Sequence, residues 1–224
     1  MQFVLLFILC PVLMWAETKI LILGDSNTHG IPSKEFSWVT ILKEEYKDKP
    51  WIKFYNYGLG MATVEQCEML YHIAHEIHDP DIVIYTAGLV NVIFKQDLDK
   101  NMGPSMGRTL QKCIDDKCCV LFGMIDFSCF CRTFKFDKGY VDKANGIYKN
   151  LANTFYDYII PFVFLEEQLL TNPAYNIGDN LHPNLEGQKI IAMRVKHALE
   201  QVINLPYEIM REVKKRQSNP FLNE

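Results

Sequence analysis

The chain has 224 residues, 49% of them hydrophobic and 22% charged, with a formal net charge of −4. That length and composition support one domain with a substantial core. Mild acidity removes the electrostatic argument for nucleic acid or an anionic membrane as partner, and neither is expected.

Residues 1–16, MQFVLLFILCPVLMWA, are mostly apolar and carry no charged side chain. They are short for a membrane span and match the core of a secretory signal ending at Ala16. An additional buried strand or an uncleaved anchor is the alternative, because no Lys or Arg stands near the start. The expected division is a signal peptide over 1–16, one folded domain over 17–204 and a polar tail over 205–224. The protein is then secreted or periplasmic, with no stable membrane span after signal removal. Cleavage would remove Cys10 and leave Cys67, Cys113, Cys118, Cys119, Cys129 and Cys131. That even number permits disulfides or plain buried thiols, with no pairing legible. Cys118-Cys119 and Cys129-Phe-Cys131 lack the two-residue gap of a zinc knuckle, so no metal is expected there.

From Lys19 onward, short apolar runs alternate with longer amphipathic stretches. Lys19–Leu23, Lys53–Asn56, Ile82–Thr86, Cys119–Met124 and Ile159–Phe164 are rich in β-branched and aromatic residues and read as strands buried on both faces. Between and after them, Phe36–Tyr46, Thr63–His78, Pro104–Asp115, Val141–Tyr158 and Leu185–Val202 read as helices. Such a βα alternation demands crossover connections, hence an α/β fold with a mainly parallel five-stranded sheet and helices on both faces. Ligand sites in open sheets of this kind lie at the carboxyl ends of the strands.

Three polar, glycine-containing turns fall at that edge: Gly24-Asp-Ser-Asn27, Asn56-Tyr-Gly-Leu-Gly60 and Ala87-Gly-Leu-Val-Asn91. Ser26 ends the first run on a small turn, and a serine becomes a nucleophile when an imidazole takes its proton and a carboxylate orients the imidazole. Asp179-Asn-Leu-His182-Pro183, just before the last helix, supplies both groups. The other histidines read as structural. His72, His75 and His78 share one helical segment and form a solvated face rather than a converging metal site. His29 is too local to Ser26, and His197 lies within the last helix.

The Gly24-Asp-Ser-Asn27 block, Asn56-x-Gly58 with Thr63, a glycine turn after the third strand, and Asp179-x-x-His182-Pro183 resemble, in order and spacing, the SGNH (GDSL) hydrolases over Lys19 to about Val202. Within that family the chain is most similar to the small exported bacterial thioesterase/lysophospholipase type. The resemblance implies a three-layer α/β/α flavodoxin-like fold and a Ser26–His182–Asp179 triad acting through an acyl-enzyme. It implies a small acyl ester or thioester as substrate, and no metal or organic cofactor; a monomer is the default. A carbohydrate O-acetyl esterase is the competing reading within the family.

The oxyanion-binding residues depart from the family pattern. The Ser26 N–H is retained as one donor. Met61 stands where the family has glycine, with Gly60 one residue early, so Gly60 or Met61 supplies the second N–H. Leu89 stands where the family has asparagine, and a leucine side chain donates nothing. Asn91, two residues on, either replaces the missing amide or caps the next segment. If neither repair works, the chain is a catalytically impaired relative that binds acyl or glycan ligands. The apolar Val92-Ile-Phe94 and the phenylalanines Phe127, Phe130, Phe134 and Phe136 are candidate acyl-binding surface or core.

Overall fold

The computed structural model describes residues 17–31 and 34–205. The signal peptide expected over 1–16 and all but the first residue of the tail expected over 205–224 lie outside the described residues.

Elements follow in chain order as β1 (Thr18–Gly24), α1 (Ser26–His29), α2 (Trp38–Glu45), β2 (Ile52–Gly58), α3 (Val64–His78), β3 (Ile82–Thr86), α4 (Leu89–Ile93), α5 (Gly103–Asp115), β4 (Cys119–Ile125), α6 (Phe130–Thr133), α7 (Lys138–Thr154), β5 (Ile159–Leu165), α8 (Glu167–Thr171) and α9 (Leu185–Glu200). Every strand pair is parallel, and the order across the sheet is β2-β1-β3-β4-β5. All five expected strands are present; β3 and β4 are buried apolar runs in which period-two alternation is suppressed, whereas the edge strand β2 is buried only at Ile52 and is otherwise half-buried or exposed. β3 is buried along its whole length, and β1 from Ile20 to Gly24.

Opposite sheet faces carry different helices. Tyr85 of β3, Phe122 of β4 and Tyr148 of α7 form one stack, with centroids 6.3 and 5.5 Å apart. Phe122 is in register with Pro161. Phe164, three residues on, therefore points to the other face, where it meets Trp38 of α2 at 6.0 Å. α2 packs with α9 on that side, and α3, α5 and α7 cover the first. The result is a three-layer α/β/α arrangement.

Helix α7 begins and ends three or four residues earlier than the expected Val141–Tyr158. The Asp137 carboxylate accepts the Tyr140 N–H at 3.0 Å and starts the helix ahead of its apolar face. The six cysteines in the described residues carry free thiols, five of them buried. Burial pushes the Cys129 thiol up to about 11 and Cys118 up to about 12, so these sulfurs behave as small apolar side chains.

Register aligns the chemistry-bearing turns. Gly24 pairs with Gly58 on one side and Thr86 on the other, so β1, β2 and β3 end at one level. The chain leaves β1 toward β2 and then crosses back to β3, which makes the β1 carboxyl end the point where strand order reverses.

Candidate active site

Ser26 opens α1 directly after β1, and Asp25 caps that helix by accepting the Asn27 N–H at 3.0 Å. Gly24 is required by close approach. A Cβ there would lie 2.3 Å from the Thr28 hydroxyl oxygen and 2.4 Å from that of Thr86. Thr86 donates to the Leu23 carbonyl at 3.0 Å, so Thr28 donates to Thr86 at 2.6 Å. This threonine pair bolts α1 to the ends of β1 and β3.

The turn behind Ser26 is polar, buried and incompletely satisfied. One carboxylate oxygen of Asp25 and both amide atoms of Asn27 have no hydrogen-bond partner among the described residues. Burial pushes the Asp25 carboxyl up to about 6, against the lowering effect of the Asn27 N–H and the nearby His182.

The opposite wall is the segment between α8 and α9. Asn176 bridges to Pro183 in an antiparallel ladder, with the Ile177 N–H on the His182 carbonyl at 3.1 Å and the Asn184 N–H on the Tyr175 carbonyl at 2.8 Å. Inside this closed hairpin the buried Asn176 carboxamide accepts the Gly178 N–H at 2.7 Å and the Asn180 N–H at 3.1 Å. It donates to the Leu169 carbonyl at 3.3 Å. Buried Gln188 accepts the Trp38 N–H at 2.9 Å and donates to the Pro183 carbonyl at 3.4 Å, tying the hairpin to α2. Sequence reasoning missed both residues. An asparagine two residues before a glycine is a turn signal, but nothing local announces which side chains that turn will hold.

Asp179 accepts the backbone N–H groups of Leu181 and His182 at 2.9 and 2.8 Å with one oxygen, and contacts His182 Nδ1 at 2.5 Å with the other. Burial raises this carboxyl, but the bonds from the His182 ring and from the two N–H groups prevail and hold it below its ordinary value. The imidazole is thereby oriented with Nε2 outward, 2.8 Å from Ser26 Oγ. Residues 156 positions apart in sequence thus form one hydrogen-bonded chain from hydroxyl to imidazole to carboxylate.

Met61 has φ of 66°, a left-handed conformation that disfavours side chains. This explains why a glycine suits that position. The N–H groups of Gly60 and Met61 reach no backbone acceptor among the described residues, and the Ser26 N–H is at the first position of α1, where no intrahelical acceptor exists.

Asn91 is corrected by the structure. Its carbonyl oxygen accepts the Val64 N–H at 2.9 Å, and its amide donates to Glu65 at 3.0 Å and to Gln96 at 2.7 Å. The carboxamide is fully buried with both amide bonds committed, so it is not the replacement oxyanion donor. It caps α3, a helix that also has a Thr63–Gln66 capping box. Leu89 is buried beside it.

Most of the remaining candidates are engaged in the scaffold. Phe127 and Phe130 are fully buried, and with Phe134 and Phe136 they pack on one another and on Tyr148 and Tyr140, as core at the α6–α7 corner. Val92 is buried and Phe94 exposed. His78 stacks on Tyr55 and meets the Tyr57 hydroxyl at 2.9 Å. His75 lies 3.5 Å from Asp116, and His29 Nδ1 is 2.9 Å from the Gly58 carbonyl. No three His, Cys, Asp or Glu side chains among the described residues are grouped to hold a metal ion.

The family model described as GDSL-like lipase/acylhydrolase matches residues 22–190, a span that includes every element of this site. The chain belongs to the GDSL-like lipase/acylhydrolase family. Solved structures share the fold of this GDSL-like chain at low sequence identity. The psychrotrophic esterase EstA from Pseudoalteromonas sp. is 17% identical with a TM-score of 0.66, over 84% of this chain and 99% of that one. TesA is 16% identical with a TM-score of 0.69, over 82% and 98%. The acetyl xylan esterase AlAXEase is 22% identical with a TM-score of 0.60, over 81% and 99%. No curated protein matches in sequence.

Proposed function

We propose that this GDSL-like protein is a serine hydrolase of acyl esters or thioesters, in which Ser26 is the nucleophile, His182 the base and Asp179 the residue that orients it. The observation that carries the reading is the continuous chain of hydrogen bonds from Ser26 Oγ through His182 to Asp179, at 2.8 and 2.5 Å. His182 Nε2 takes the hydroxyl proton as Oγ bonds to the substrate carbonyl carbon. The imidazolium, stabilised by Asp179, returns that proton to the departing alcohol or thiol. Water then attacks the acyl-Ser26 ester by the same route, releasing the acid and restoring the hydroxyl.

Charge developing on the carbonyl oxygen is met by main-chain donors, Ser26 N–H and the N–H of Met61 or Gly60. With Leu89 apolar and the Asn91 amide engaged elsewhere, this hole lacks a side-chain donor from the third strand. One missing donor commonly costs about 100- to 1000-fold in turnover, so the enzyme is slow on unactivated esters. The same observation favours a second reading, a nearly inactive relative that binds acyl or glycan ligands. Treatment of the purified protein with a fluorophosphonate, followed by mass mapping, separates the two. Covalent labelling at Ser26, lost in Ser26→Ala together with turnover of nitrophenyl esters, is the outcome expected of the hydrolase. A folded protein that takes no label supports the binding reading. A panel from acetyl to long acyl chains then distinguishes lipid-like substrates from O-acetyl esters.

A further inference from the structure

Helix α5 ends in a local motif that sets two cysteines side by side. Lys117 takes the left-handed conformation, with φ of 63°. Its N–H donates to the Ile114 carbonyl at 3.0 Å, and the Cys118 N–H donates to the Cys113 carbonyl at 2.9 Å. These nested bonds form a Schellman motif, in which the side chain three residues before the cap commonly meets the one two residues after it. With Asp116 as the cap, those side chains are Cys113 and Cys118. The Tyr71 hydroxyl lies 3.7 Å from Cys118 Sγ and also contacts the Cys113 thiol, so both sulfurs face one atom. Both cysteines are fully buried.

The other described cysteines are placed apart. Cys119 follows Cys118 into β4, where successive side chains leave opposite faces of the sheet. Cys129 and Cys131 stand at the start of α6 at a spacing whose side chains do not face each other. Cys67 lies near Asp25 and Glu65, toward the catalytic edge. Cys119 pairs with Ile82 where β4 and β3 begin, so Cys113 and Cys118 sit at the edge of the sheet opposite Ser26. Burial raises both thiols, and the folded dithiol therefore holds little thiolate to react. The motif is complete within residues 113–118, however, and can form before α3 closes Tyr71 over it.

We propose that Cys113 and Cys118 are a redox pair, joined as a disulfide when the chain folds in the presence of a disulfide oxidant, and that the bond staples the end of α5 to the start of β4. One cysteine thiolate attacks a sulfur of the oxidant, forming a mixed disulfide and expelling a thiolate. The second cysteine thiolate attacks the cysteine sulfur of that mixed disulfide and expels the other half of the oxidant. Two cysteine thiols are oxidised, one disulfide is reduced to two thiols, and the cysteine protons pass to the departing sulfurs. A secretory leader at residues 1–16 would carry the chain to such an oxidant. Nothing in the proposal depends on the role of Ser26.

The full chain is unfolded in reductant and refolded in a mixture of glutathione disulfide and glutathione. Free thiols are then alkylated in denaturant and the cysteines mapped by mass, and thermal unfolding is recorded with and without reductant. The expected result is a Cys113–Cys118 bridge and a midpoint about 4 to 8 °C above that of the reduced protein. Both the bridge and the shift are lost in Cys113→Ala and in Cys118→Ala. Mapping of the unaltered chain needs no variant, so a variant that fails to fold does not shelter the proposal. Alkylation of both Cys113 and Cys118 in the refolded chain overturns it, as does either sulfur bonded to glutathione or to a different cysteine. A bridge that leaves the midpoint unchanged overturns the staple. Ester turnover has no part in the readout, and the hydrolase reading stands or falls separately.

Discussion

Two turns end neighbouring strands at the same edge of the sheet and treat their polar side chains in opposite ways. After β1, Asp25 and Asn27 are buried with atoms left unpartnered, and the Ser26 hydroxyl points across a gap to a different part of the chain. After β3, Asn91 is equally buried, but each polar end of its carboxamide is bonded. Polarity that the fold consumes is scaffold, and polarity that the fold leaves over, at a cost in stability, is available for chemistry.

The comparison is broken or sharpened by four substitutions. The largest expected effect is that of Asp179→Asn, which keeps the shape of the hairpin but no longer favours the imidazole orientation and charge that the base needs. Turnover of an activated ester falls by about 100- to 10,000-fold with KM changed little. A fall below tenfold in steady-state kinetics would show that His182 is held by something else.

Asp25→Asn tests the cost borne by the β1 turn. An ionised Asp25 is disfavoured in the folded state because its carboxyl is raised to about 6 from 3.8. Between those values the folded protein holds more protons than the unfolded one, so this group erodes stability as pH rises from about 4 to 6 and leaves the full penalty above that range. The asparagine retains a cap acceptor for the Asn27 N–H and carries no charge. Denaturant titration should find Asp25→Asn more stable than the parent by as much as about 3 kcal/mol at pH 7, and little different at pH 4. Equal differences at both values would remove the desolvated carboxylate from the account.

Asn91→Ala separates scaffold from chemistry on the β3 side. Loss of its three bonds leaves the Val64 N–H unpaired and should cost about 2 kcal/mol, read as a lower midpoint in thermal or chemical unfolding. Turnover by the folded fraction should stay within about threefold. A drop of a hundredfold at full folding would return Asn91 to the oxyanion hole.

Met61→Gly should have the smallest effect. Relief of a left-handed φ of 66° at a residue with a side chain stabilises by about 1 kcal/mol, partly offset by the entropy of glycine in the unfolded chain. Because the main-chain N–H is retained, hydrolysis of a soluble ester is expected to persist, and a crystal structure of the variant with a bound phosphonate would reveal which N–H the oxygen meets.

The sequence exposed what is locally encoded. Five apolar runs gave five strands, and the Gly24-Asp-Ser-Asn27 and Asp179-x-x-His182 blocks marked side chains that meet across the sheet edge. It could not reveal Asn91's duties, because Val64 and Glu65 lie 27 and 26 positions away and come within reach only after α3 packs. The same holds for Gln188, whose partner Trp38 lies 150 positions away; the partners of Asn176 lie within seven positions, but which groups it bonds depends on how the hairpin closes. Met61 was legible as an anomaly, and its physical meaning appeared only with its φ. The early start of α7 was concealed by a cap at Asp137, outside the apolar pattern from which helix ends are read.

The Asn176–Pro183 bridge closes Asp179 and His182 into one hairpin, which Asn184 joins to α9 as its cap and Gln188 ties to α2 through Trp38. His182 and Asp179 therefore travel as a unit. If the hairpin swings, the bond that parts is the one to Ser26, while the imidazole–carboxylate pair stays intact, so on the proposed mechanism a single local opening would separate the hydroxyl from its base.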